Sequence, residues 1–244
     1  RTTDNFIQNH NIMSVAYRIN NHWSTSGALR YTYGYGYYDE FRYQNKAGSK
    51  FGLNYTPQDG STRADFVRQK GLTQHTYSVQ LNANYKSQAW DVITGLSAQR
   101  FTGNHFGYLT YISNEDLRNH YITEPGGKYQ YYDSDAEKND VSVFAKATWH
   151  LSKQWDAFAD VQYRHATFQT DGHNDKFMKN ANGEYVAQKL NIDKKYDFLN
   201  PKVGLAWHHK GHRAYASYAM SSREPERNNF TDNGHGEAPK AERM

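Results

Sequence analysis

The sequence predicts an all-β fold, an antiparallel up-and-down meander of about eight long strands. Three observations predict it. Apolar residues recur at every second position, short and long connections alternate strictly along the chain, and the alternating runs last about 10 to 15 residues. In a meander every second connection lies at the same end. The short turns therefore gather at one end of the sheet and the long polar connections at the other.

The elements follow in order. A first strand, 10–19, aligns Met13, Val15, Tyr17 and Ile19 on one face. The turn Asn20-Asn21-His22 leads into a second, 23–38, where Trp23, Leu29, Tyr31, Tyr33, Tyr35 and Tyr37 share a face. The polar stretch 39–72 reads as a long loop. The third strand, 73–86, sets Val79, Leu81, Ala83 and Tyr85 against Ser78, Gln80, Asn82 and Asn84, and Ser87-Gln88 turns it into the fourth, 89–102. After a second long loop, 104–138, comes the fifth strand, 139–150, in which Val141, Val143, Ala145, Ala147 and Trp149 alternate with Ser142, Phe144, Lys146 and Thr148. Ser152-Lys153-Gln154 turns it into the sixth, 154–169, with Trp155, Ala157, Ala159, Val161 and Tyr163 on one face. A third long loop, 170–195, precedes the seventh strand, 196–209; the Lys210-Gly211 turn joins it to the eighth, 212–221. The stretch 222–244 reads as the last long loop.

Composition narrows the class. Only 37% of the 244 residues are hydrophobic while 16% are aromatic, and mean hydropathy is −1.01. Charged residues make up 22% with a balance of +4, which excludes a disordered polyelectrolyte and a strongly basic nucleic-acid binder. There is no cysteine, hence no disulfide, thiolate chemistry or cysteine zinc site. No apolar run reaches the roughly 18 residues of a transmembrane helix, and residues 1–20 show no basic start followed by an apolar stretch, so either the protein is cytoplasmic or a signal peptide has been removed or lies outside this chain. Both ends read as interrupted, so a section of a longer protein is expected. Long strands with one apolar and one polar face, long loops at one end only and low hydropathy together match a barrel of the bacterial outer membrane: lipid meets one face, and the lumen keeps the other wet. A soluble sandwich is the bland alternative, but its strands usually run about five or six residues.

The segment SSREPERNNFTD at 221–232, followed by APKAERM, resembles the SREP-x-R-x-D-F and later P-x-x-E stretches in the barrels of TonB-dependent outer-membrane receptors. RYTYGYGYYDEFR at 30–42 is similar to that family's strand ending in G-x-G-Y-Y-E, QRFTGNHFGYL at 99–109 to its G-x-H-x-G, and FLNPKVGLAW at 198–207 to its F-x-P-x-x-G. The resemblance implies a central portion of a transmembrane barrel of about 22 strands, without the plug domain. It implies active uptake of a scarce ligand (iron chelate, haem, cobalamin or glycan) with energy passed on by TonB. Plug and TonB are then partners through parts of the protein not in this chain.

No residue pattern supports catalysis. Nucleophile elbow, P-loop and dinucleotide fingerprint are missing, and Gly34 and Gly36 are followed by no helical pattern. On the polar face these two glycines are expected to leave room for a neighbouring chain segment, plug or ligand. No cofactor or metal site is expected. His208 and His209 point to opposite faces, and Glu115-Asp116 and Asp133 with Asp135 read as loop charge. Arg223, Glu224, Glu226 and Arg227 suggest either an internal ion network or a hydrated loop base. Ligand contact, or else packing of the loops, falls to Tyr37, Tyr38, His105, Phe106, Tyr108, Tyr111, Tyr131 and Tyr132, and Tyr31 and Tyr33 are expected in the aromatic girdle at the membrane interface. The reading is a small-molecule or oligosaccharide transporter in outer-membrane lipid. A passive porin-like channel and a secreted all-β carbohydrate-binding module stand as alternatives.

Overall fold

The computed structural model describes residues 3–225 and 240–243. Eight antiparallel strands pair in sequence order: β1 Thr3–Arg18, β2 Trp23–Lys46, β3 Arg63–Lys86, β4 Trp90–Ile112, β5 Tyr129–His150, β6 Trp155–Lys179, β7 Tyr185–His209 and β8 His212–Ala219. Two short helices, α1 Ala47–Phe51 and α2 Glu115–Tyr121, lie in the β2–β3 and β4–β5 connections, and β9 Ser222–Arg223 pairs with β10 Glu242–Arg243. Among the described residues no helix is long and apolar enough to cross a membrane.

The pairing sorts the side chains into two faces. On one, each central strand presents five alternate positions of apolar or small residues. Examples are Trp23, Thr25, Gly27, Leu29 and Tyr31 on β2, Tyr85 to Tyr77 on β3, and Trp149 to Val141 on β5. Leu29, Leu81, Val143, Val161 and Val203 on this face are each about half exposed, and no described residue covers them. All five tryptophans stand at its lower rim beside the short turns, with Trp90 stacked on Trp149 (centroids 5.5 Å, planes 4° apart) and Trp155 opposite Trp207.

The rim also measures the tilt of the strands. Trp23 lies level with Tyr85, but Tyr85 pairs with Val92, two residues above Trp90; Trp149 likewise pairs with Ala157, two above Trp155. The rim thus slips two residues (about 6.6 Å) per two strands (about 9.6 Å), a tilt of about 35°, which is that of transmembrane barrels. Eight residues from rim to upper edge run about 26 Å along the strand and about 22 Å along the barrel axis, close to the ~25 Å apolar band of such barrels.

The strands run further than the hydrophobic alternation predicts. β2 and β3 extend into 39–72, β4 and β5 into 104–138, and β6 and β7 into 170–195, so that the last connection shrinks to a turn at 180–184. Alternation of hydrophobicity records lipid on one side. Above the belt both faces are wet, the alternation fades, and backbone pairing continues regardless. The short turns lie where expected. Asn20 Oδ1 accepts from the backbone N–H of His22 (2.8 Å) and Trp23 (2.9 Å), and Lys210 and Gly211, both at positive φ (44° and 85°), make the two-residue hairpin between His209 and His212.

The polar face departs from expectation at Gly34 and Gly36. A Cβ on Gly34 would come 2.8 Å from the Gln74 side chain, and one on Gly36 would come 2.5 Å from the Phe6 ring. Neighbouring strands fill the space that the sequence suggested was open to another segment.

Candidate functional site at the strand tops

The polar face carries a charged cluster midway up. Lys138 and Asp140 project from β5, and Arg164 from β6; Arg164 donates through Nε to Asp140 (2.8 Å) and packs over the Phe198 ring. Glu224, in the segment after β8, turns back onto this face and takes a bidentate pair from Arg164 (2.7 and 2.9 Å) as well as a bond from Lys138. A planar guanidinium serves two carboxylates at once, which a lysine cannot. Burial pushes the Glu224 carboxyl up, but the hydrogen bonds from Arg164 and Lys138 outweigh it and hold it near 2. The ion network suggested by the SREPER stretch thus exists at Glu224, whereas Glu226 and Arg227 lie outside the described residues.

β7 shows why the chain turns inward here. The backbone N–H of Met220 donates to the Pro201 carbonyl (3.0 Å), so Pro201 directs its polar backbone edge toward β8 at the point where that ladder ends. Proline has no N–H to continue it. Ser222 is then held by the Asn200 side chain (2.9 Å).

Above the belt, the two helical connections and the strand tops build an aromatic cap. Its centre is fully buried Phe66, Leu109 and Ile112, with Phe51 of α1 at 4.5 Å from the Phe66 ring and at right angles to Tyr131. α1 reaches across to β6 and β7. Gly48 and Gly52, whose added Cβ atoms would strike Tyr185 (2.3 Å) and Phe177 (2.5 Å), allow that approach. Asn114 caps α2 by accepting from Leu117 N–H (2.9 Å) and ties it to Asp59 and Ser61 (3.0 Å each). Burial pushes the Tyr131 and Tyr132 phenols well above their usual range.

The eight aromatic and histidine positions singled out from sequence do not converge. Tyr38, His105 and Tyr132 share the polar face; Tyr37, Phe106 and Tyr108 share the other; Tyr131 sits inside the cap, and Tyr111 is exposed near the end of β4. Phe106, Tyr131 and Tyr132 are buried against neighbouring rings. Around Tyr38 and Tyr132 the polar face adds Arg68, bonded to Glu40 (2.7 Å), and Lys70, bonded to Asp175 (2.8 Å) and placed over the Tyr132 ring. These charged residues fall in polar stretches whose sequence carries no alternation that marks a strand. Glu40, two residues from Tyr38 on the same strand, was the available signal.

Among the described residues no three histidine or acidic side chains are arranged to hold a metal ion. His209 bonds Gln154 (3.0 Å), while His208 lies 3.9 Å from Asp156, whose carboxylate also holds His150 (2.7 Å).

A tilted meander with an apolar belt rimmed by tryptophan on one face and a wet, ion-paired opposite face defines the wall of an outer-membrane-type β-barrel. The chain belongs to the TonB dependent receptor-like β-barrel family, whose model matches residues 1–242. Its fold is similar to that of the ferric-catecholate import receptor Fiu from E. coli K12 in its closed form (TM-score 0.61, 16% identity, 93% of this chain and 34% of that one). It is also similar to the copper transporter OprC (0.62, 14%, 91% and 31%) and the ferric yersiniabactin uptake receptor FyuA from Yersinia pestis (0.56, 12%, 88% and 28%). The chain spans about a third of the length of these proteins. No curated protein sequence matches it.

Proposed function

We propose that the chain forms part of the wall of an outer-membrane active-transport receptor that takes up a metal chelate, energised through TonB acting on a plug domain elsewhere in the protein. The two-sidedness of the sheet carries this reading: an unpartnered apolar belt of bilayer height backs a polar face lined with ion pairs. Tyr31 and Tyr33, at the upper edge of the belt, take the interface girdle. At the mouth, Tyr38, His105 and the Arg68–Glu40 and Lys70–Asp175 ion pairs offer polar-tipped rings and charged groups to a polar ligand. The structures of similar fold include two ferric-chelate receptors and a copper transporter, which supports a metal-bearing ligand.

The test is a binding screen of the complete receptor in detergent against ferric chelates, copper, haem, cobalamin and glycans, followed by uptake in cells with and without TonB. The reading expects saturable binding of a metal-bearing compound and uptake that stops without TonB. Uptake that persists without TonB, together with passive solute flux in liposomes, would establish a porin-like channel instead.

A further inference from the structure

The two ends of the sheet differ in charge. The four short connections at the lower end, residues 18–22, 86–89, 150–154 and 208–213, hold five lysine or arginine residues and five of the chain's 12 histidines but no aspartate or glutamate. The connections at the upper end mix both signs, with Asp59, Glu115, Asp116, Glu124 and Glu184 beside Lys50, Arg118 and Lys128. A rim of one sign, directly below an apolar belt of bilayer height, calls for an anionic surface at that level.

The cations of the rim are not equivalent. Arg18, Lys86 and Arg213 stand in lumen-facing rows. So do Asp91 and Asp156, which follow Trp90 and Trp155 and which His150 holds (3.3 and 2.7 Å). Lys153 and Lys210 lie exposed in the turns, and no described carboxylate pairs with either. Their two turns are tied together: the His208 backbone N–H donates to the Gln154 carbonyl (2.9 Å), and the Gln154 side chain bonds His209 (3.0 Å). His209 shares the lipid face with Trp207, 6.1 Å between rings, and stands opposite His212. Just above them Trp155 pairs with Trp207.

The depth agrees with the charge. Lys153 and Lys210 are two and three residues from these tryptophans, so at a tilt of about 35° they reach about 5 to 8 Å beyond the rim. The headgroup layer adds about the same on each side of the hydrocarbon. Ammonium and imidazole N–H groups are donors for a phosphodiester, and indoles settle at the level just inside it.

We propose that the corner formed by the β5–β6 and β7–β8 turns binds the phosphate of an anionic phospholipid in the periplasmic leaflet, whose acyl chains lie on the belt beyond Trp155 and Trp207. The proposal rests on the membrane placement given above, in which the short turns are periplasmic.

The test uses the complete receptor, assembled in the membrane, purified in neutral detergent and stripped of lipid. It is titrated with phosphatidylglycerol and with phosphatidylcholine in mixed micelles, and bound lipid is counted by native mass spectrometry. The variants are Lys153→Gln/Lys210→Gln and, as a control that removes the same charge from lumen-facing rows, Lys86→Gln/Arg213→Gln. Heat-modifiable migration confirms that each variant is assembled. Wild type should prefer phosphatidylglycerol about thirtyfold, roughly fivefold for each lysine at an anionic lipid surface. The Lys153→Gln/Lys210→Gln variant should lose most of that preference and bind phosphatidylcholine as before, while the control keeps it. Free glycerol phosphate should compete only weakly, because it has no acyl chains to lay on the belt. Equal affinity for the two lipids, a preference that survives without Lys153 and Lys210 or is lost equally in the control, or competition by glycerol phosphate as strong as by the lipid would overturn the proposal. Failure of wild type to bind either lipid would overturn the membrane placement with it.

Discussion

Leu81 and Gln80 are adjacent in β3 and face opposite ways, which lets one substitution test the two-faced wall. Leu81 is four residues from Tyr85 at the lower rim and four from Tyr77 at the upper edge, and so lies at the midplane of the belt. It pairs with Gly27 and Leu96, about half of it is exposed, and its side chain covers Gly27 at 3.1 Å from a notional Cβ. An arginine on the lipid face at the midplane costs about 2 to 4 kcal/mol, or roughly 30- to 1,000-fold in the assembly equilibrium. Gln80, in the row of Ser97, Ser142 and Arg164, faces the wet side, where the same change should stay within about 0.5 kcal/mol. The assay is the fraction of complete receptor in heat-modifiable form in outer-membrane fractions, backed by urea unfolding in lipid vesicles. Leu81→Arg should be strongly depleted and Gln80→Arg close to wild type. Equal depletion, or wild-type assembly of Leu81→Arg, would refute the assignment of faces.

Phe66→Ala, at a fully buried ring, should cost about 3 to 5 kcal/mol; hydrogen exchange should quicken in the cap and stay unchanged in the belt. Arg164→Ala leaves Asp140 and Glu224 facing each other without their shared cation. Because the site is partly exposed, about 1 to 3 kcal/mol is expected, and a cysteine at Ser222→Cys, unique in this cysteine-free chain, should label faster. Arg164→Lys should fall between, since it keeps the charge without the fork. The raised Tyr131 and Tyr132 phenols hold their protons more tightly folded than unfolded. Cap stability should therefore be intact below about pH 10 and fall as pH rises past it, with these two tyrosines ionising last in an ultraviolet titration.

How much was legible followed the lipid. Wherever one face meets hydrocarbon, as from Val141 to Trp149, the alternation is strict, and the strand, its partners and its faces could be read from the residues. Above that level the chemistry on the two sides no longer differs, and Arg68 and Lys70 looked like loop residues although they occupy ladder positions opposite Glu40 and Tyr38. The motif marks out Glu224, but its partners come from β5 and β6, 86 and 60 residues away in the chain, which no local pattern reports. Tyr131 and Tyr132 read locally as aromatic loop residues; that Tyr131 packs on Phe51 of α1 depends on a distant connection crossing over, which Gly48 and Gly52 allow.

The irregularities of the sheet obey the same boundary. The ladders shift register at Arg42/Asn45, Val67/Arg68, Gly107/Tyr108 and His173/Phe177, all above the belt, while from rim to upper edge the pairing runs one to one. A bulge leaves a backbone group unpaired, which water tolerates and hydrocarbon does not. It also re-aims side chains, so the residues free to vary in direction, and hence to build a ligand mouth, lie in the upper part of the wall. A single alanine inserted after Val67, where the register already shifts, should leave assembly nearly intact. The same insertion after Ala83 either strands a backbone group in lipid, at several kcal/mol, or slips the register. A slip turns Leu81 and Val79 inward and Gln80 and Asn82 toward lipid, so that insertion should abolish assembled receptor; equal tolerance at both sites would show that the belt does not face hydrocarbon.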